Sequence, residues 1–142
     1  MRDEGNHGFT LLELLLVLVI MAGLGFVLMV RLPVHAESRV LAQASTQLLS
    51  DLRDTRQAAL SENTWYQVKF YSSSNFYRIT RQGIWVRDVY LPNGVKLLNQ
   101  PPDLNFNASG IPSAGMTILL GTAAGEQKKV IVAPVTGRIR EE

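Results

Sequence analysis

Hydrophobic and polar positions follow three rhythms along this chain, and each predicts a different element. From Phe9 to Val30 apolar residues run on without alternation, and Glu13 is the one strongly polar side chain among them. Roughly 20 consecutive apolar residues are what a helix needs to span a hydrocarbon core about 30 Å thick. Just past this run, Pro33 lacks a backbone donor and is expected to kink or interrupt the helix. Leu41, Ala44, Leu48, Leu52, Thr55 and Ala59 then recur in steps of three and four, which defines one helical face. Gln43, Gln47, Asp51, Arg53, Asp54, Arg56 and Gln57 lie between them. This is an amphipathic helix that needs a sheet or a partner over its stripe. The pattern stops near Glu62, too soon for a free-standing coiled coil.

From Trp65 the rhythm shortens to runs of strand-forming residues: WYQVKFY, FYRITR, IWVRDVYL, VKLL, LNFN, MTILLG, KKVIVAP and GRIR. SSSN, Gly83, PNG, QPPD, SGIPSAG and TAAGEQ punctuate them. Val68 and Phe70 alternate with Gln67 and Lys69, and Val130 and Val132 with Lys129. Such strands are half buried, one face against the amphipathic helix and the other partly wet. The predicted fold is α+β, a long N-terminal helix packed on an antiparallel sheet. Its expected divisions are 9–30 for the membrane run, 31–62 for the amphipathic helix and 63–142 for the β domain.

Composition narrows the chemistry. A chain of 142 residues has room for one ordinary domain, and the excess in its 46% hydrophobic content is local to the run from Phe9 to Val30. Without cysteine there is no disulfide framework, thiolate metal site or thiol nucleophile. The only histidines are His7 and His35, which assemble no triad and no metal cluster, and no paired-carboxylate spacing or phosphate loop is present. No enzyme and no cofactor are expected. After Asn63, nine Lys/Arg stand against five Asp/Glu, a mild basic bias. The aromatics from Trp65 to Tyr90 interleave with Lys69, Arg78, Arg81 and Arg87. At strand spacing these are read as cross-strand pairs and core filling rather than a base-stacking platform.

Glu13 is the residue that a simple anchor does not explain. The apolar run is too long for a secretory signal peptide and no A-x-A cleavage site follows it. A carboxylate in a bilayer costs about 2.5–3.5 kcal/mol on insertion scales, so it marks a partner or a function. A cut between Gly8 and Phe9 would create a cationic amine four residues from Glu13, able to meet the acid within one subunit or between neighbours.

The stretch GFTLLELLLVLVI closely resembles the class III signal of type IV pilins and type II secretion pseudopilins. The resemblance implies a leader of residues 1–8, with Gly8 before the cut, Phe9 as the mature, N-methylated residue and Glu13 as the assembly glutamate. It departs from the commonly basic leader, since MRDEGNHG sets Arg2 against Asp3 and Glu4. LRDTRQAALSENTWYQVKF, FNASGIPSAGMTILLG and KKVIVAPVTGRIR further resemble the GspH/FimT branch of minor pilins and pseudopilins. A minor subunit at or near the tip of a type IV pilus or a secretion pseudopilus is therefore implied. So is a cytoplasmic (inner) membrane location with the globular domain outside the cytoplasm. Implied partners are other major and minor pilins, a prepilin peptidase, the inner-membrane assembly platform and membrane lipid. The alternative is a DNA-binding minor pilin for uptake in transformation, with Arg138 and Arg140 as phosphate ligands and Lys128 and Lys129 as neighbours. Guanidinium groups suit that role because they bind phosphate bidentately and without sequence preference. Glu141 and Glu142 oppose it by offsetting the local charge.

Overall fold

The computed structural model describes residues 10–142, apart from the side chains of 25–36. The chain divides into two compact units, Met1–His35 and Ala36–Glu142. Helix α1 is assigned over Leu11–Ser61, so the expected interruption at Pro33 is not found. A single proline forfeits one i→i−4 bond, which a helix of this length absorbs.

Within the second unit the stripe behaves as its spacing predicts. Leu41, Ala44, Leu48, Leu52, Thr55 and Ala59 are all buried. Each fully buried leucine contributes about 1.5–3 kcal/mol relative to exposure. The helix ends in a Schellman motif: Thr64 N–H donates to the Ala59 carbonyl at 3.1 Å and Asn63 N–H to Leu60 at 3.4 Å. Asn63 takes the left-handed conformation this cap requires, with φ of 49°.

Eight strands follow: β1 Tyr66–Tyr71, β2 Phe76–Arg81, β3 Ile84–Tyr90, β4 Val95–Leu97, β5 Leu104–Phe106, β6 Met116–Thr122, β7 Gln127–Val132 and β8 Ile139–Glu141. They coincide with the eight runs read from the sequence. They form two four-stranded sheets rather than one, ordered β3-β2-β1-β5 and β4-β6-β7-β8, with every pairing antiparallel. The chain completes the β1-β2-β3 meander, starts the second sheet with β4, returns to place β5 beside β1, and finishes with β6-β7-β8. Val68, Tyr77, Ile79, Leu104 and Phe106 of the first sheet share one core with Val95, Ile118, Leu120, Val130, Val132 and the helix stripe. The β2–β3 turn places Gln82 and Gly83 at φ of 51° and 80°, the paired left-handed geometry of a type I′ hairpin.

The aromatics divide by face. Tyr66 and Tyr77 are buried, whereas Tyr71, Phe76 and Tyr90 form a ladder across the outer face with ring centroids 4.5 and 5.1 Å apart. Arg78 lies over this ladder and forms a two-pronged pair with Asp88 at 2.7 and 2.9 Å. These are the cross-strand pairs the spacing predicts.

Candidate functional site

The N-terminal helix starts on Thr10, whose Oγ1 accepts the Glu13 amide at 3.3 Å and whose carbonyl accepts the Glu13 and Leu14 amides. Thr10 is thus the N-cap and Glu13 stands in the first turn, where a carboxylate favours the positive end of the helix dipole. Every described side chain from Thr10 to Leu24 is exposed, Leu11 by 79% and Met21 by 68%. An apolar surface all the way round requires lipid or other helices. Among the described residues no helix stretch is long and apolar enough to cross a membrane. Gly8 and Phe9 lie outside the described residues.

The four basic residues singled out near the C-terminus separate in the fold. Along β7 and β8, Val130, Val132 and Ile139 point into the core, so Lys129 and Arg140 point outward, and exposed Arg138 enters the strand on the same side. Lys96, between buried Val95 and Leu97 on β4, also faces out. Lys128 instead has the inward parity and pairs with Glu141, whose other partner is the Ser45 hydroxyl of α1 at 2.8 Å. Glu141 is thereby turned away from the outer face and Lys128 is taken out of the exposed set. Glu142 remains outside, 3.1 Å from Arg140. Arg138 and Arg140 flank an open groove of about 510 Å³ floored by Met116, Thr117, Ile131 and Pro134.

What holds this tail in place is a pair of helix residues whose role the periodicity did not reveal. Arg53 Nη2 donates to the Ile139 carbonyl at 2.9 Å. Arg56 donates to the carbonyls of Gly110 and Thr136 at 3.0 and 3.1 Å. Gly137 has φ of 60°, and a Cβ there would lie 2.9 Å from Arg56 Nε and 3.0 Å from the Gly110 carbonyl. The Gly-Arg-x-Arg turn therefore needs glycine twice over, for its backbone and for its clearance.

Asp51 is a second residue the sequence concealed. It is 2% exposed, receives the Tyr77 hydroxyl on Oδ2, and accepts from Arg87 at 2.6 Å and Gln47 at 3.0 Å on Oδ1. Burial and the carboxylate beside it push the Tyr77 hydroxyl far above the ordinary tyrosine range. The signal was present but faint: Asp51 falls three residues after Leu48 and four before Thr55, inside the apolar stripe.

The hydrogen bond from Lys128 holds the Glu141 carboxyl below its ordinary value of 4.5, against an opposing effect of burial. A depressed carboxylate adds stability that is fully present above the unfolded value and is lost as pH falls through the folded one. Urea midpoints should therefore decline below about pH 4.5, and more steeply in the native chain than in Lys128→Ala. Equal acid slopes in the two proteins would show that this pair does not carry the linkage.

An exposed apolar helical stem and a two-sheet domain clamped to its amphipathic half define a minor pilin of the type IV pilin-like class. Residues 5–22 match the prokaryotic N-terminal methylation motif. The competence protein ComGD of Bacillus subtilis (strain 168) is 31% identical over 111 residues, which cover 78% of this chain and 76% of that protein. The chain belongs to this type IV pilin-like family of minor pilins. Two solved structures share its fold. The minor pseudopilin EpsH of the Vibrio cholerae type 2 secretion system aligns with a TM-score of 0.60 at 17% identity, covering 72% of this chain and 95% of that one. The type IV minor pilin FimU of Pseudomonas aeruginosa PAO1 aligns at 0.61 and 17% identity, covering 76% and 92%. The methylation motif makes the protein a membrane-anchored subunit that assembles into a filament with other pilins after cleavage by a peptidase.

Proposed function

We propose that this minor pilin is cut after Gly8, methylated on Phe9 and drawn into the filament at or near its tip, with Glu13 meeting the amine of a neighbouring subunit. Its domain, residues 63–142, lies outside the cytoplasm, the amphipathic segment 31–62 leads into it, and residues 9–30 form the single membrane and assembly stem. The inner-membrane platform is the machinery that acts on it. Its role is structural rather than enzymatic.

A second role, DNA capture during uptake, is favoured by one observation: Lys129, Arg138 and Arg140 share the outer face of the second sheet, while Glu141 is turned inward against Lys128. The competence name of the relative from Bacillus subtilis supports the same reading. Phosphate contacts of this kind give affinity without sequence preference and release counterions. Replacing Arg138 and Arg140 with alanine should weaken duplex DNA binding by the full chain and reduce its salt slope by about 2, one per phosphate contact, with folding retained. Binding and salt slope unchanged in the double variant would remove these arginines from the role and leave the structural one standing.

A further inference from the structure

A second groove, on the outer side of the first sheet, carries a different chemistry from the basic face. It measures about 410 Å³, within the usual size of ligand pockets, and Trp65, Gln67, Asn105, Asn107, Ile111 and Ser113 are among its walls. No charged side chain lines it, so nothing in it would repay the desolvation of a phosphate or carboxylate.

Its polar groups are held in place yet incompletely used. Asn107 spends its Oδ1 on the amides of Ser109 and Ile111, at 3.0 and 2.9 Å, which leaves its two N–H donors. The backbone amide of Asn105 donates to Ser113 Oγ at 3.2 Å, and the Ser113 amide returns to the Asn105 carbonyl at 2.7 Å. These bonds lock β5 against the 111–113 turn. Beside these amides stands the indole of Trp65, 43% exposed.

We propose that this groove binds a neutral saccharide. A sugar hydroxyl accepts as well as donates, and its oxygen matches the Asn107 donors. The C–H face of a pyranose ring is apolar and flat enough to lie on the indole. A charged ligand finds no counter-charge in the groove, and adenosine serves as the comparison ligand for a flat ring.

The test is a titration of the full chain, held in a zwitterionic detergent without a sugar head group, with maltotriose and with chitotriose, followed by tryptophan emission and calorimetry. At least one trisaccharide should bind saturably. Trp65→Ala and Asn107→Asp should each weaken binding about tenfold, the first by loss of the stacking face, the second by loss of the amide donors while an oxygen is kept for the Ser109 and Ile111 amides. Trp65→Tyr should restore most of the affinity, and Trp85→Ala should leave it unchanged. Saturation by neither sugar, native affinity in a folded Trp65→Ala chain, or saturation by adenosine but not by the sugars would each overturn the proposal.

Discussion

Replacing Asp51 with alanine is expected to destabilise the globular unit by about 3 kcal/mol, the lower end of what breaking a buried ion pair costs. The carboxylate is buried whereas its Arg87 partner is half exposed, so the guanidinium regains water and the larger penalty falls on the Tyr77 hydroxyl. That hydroxyl is left without its acceptor inside the core. In a unit of this size such a loss lowers Tm by more than about 10 °C. Asp54 provides the comparison: it lies one turn away, is exposed, and has only a 3.4 Å bond from Ser50. Asp54→Ala should change stability by less than about 0.5 kcal/mol. Thermal unfolding of both variants checks the pair, and equal shifts would show that the buried network does not tie α1 to the first sheet.

The second large effect is on assembly rather than folding. Glu13→Ala should leave the protein in the membrane at normal or greater yield, because removing a carboxylate relieves an insertion cost of about 2.5–3.5 kcal/mol. If a neighbour's amine offsets that same cost in the filament, its loss reduces incorporation on the order of 100-fold. Immunoblotting of sheared filaments against the membrane fraction measures the split. Native incorporation of Glu13→Ala would remove the role assigned to this acid. The exposed stem makes the experiment clean, since the Glu13 side chain is exposed and its amide, not its carboxylate, bonds the N-cap.

Much of this protein was legible along the chain because its elements are locally consistent. Steps of three and four from Leu41 to Ala59 marked the buried helix face, and short strand-forming runs between turn residues marked all eight strands. The stretch from Gly8 to Glu13 carried the class of the protein through its resemblance to the prepilin signal, in agreement with the match of residues 5–22 to the N-terminal methylation motif. The two-residue spacing of Arg138 and Arg140 also placed both on one side.

Periodicity states which residues share a face, but not which strand lies alongside or what covers that face. The division into two sheets depends on β5 returning to β1 across more than thirty residues, visible in the pairing of Val68 with Leu104. Alternation with Val130 and Val132 sets Lys129 on the wet face, but only the pairing of β8 beside β7 brings Lys128 to Glu141. Asp51 and Asp54 differ in the same way, by the presence of Tyr77 and Arg87 over one of them. Arg53 and Arg56 read as a wet helix face until the C-terminal segment folds back and offers its carbonyls. The sequence by itself determined the elements, the apolar stem and the class of protein, because those follow from neighbours within a few residues. The tertiary structure decided the two sheets, the basic face and the buried acid, because burial and pairing are set by residues far away in the chain.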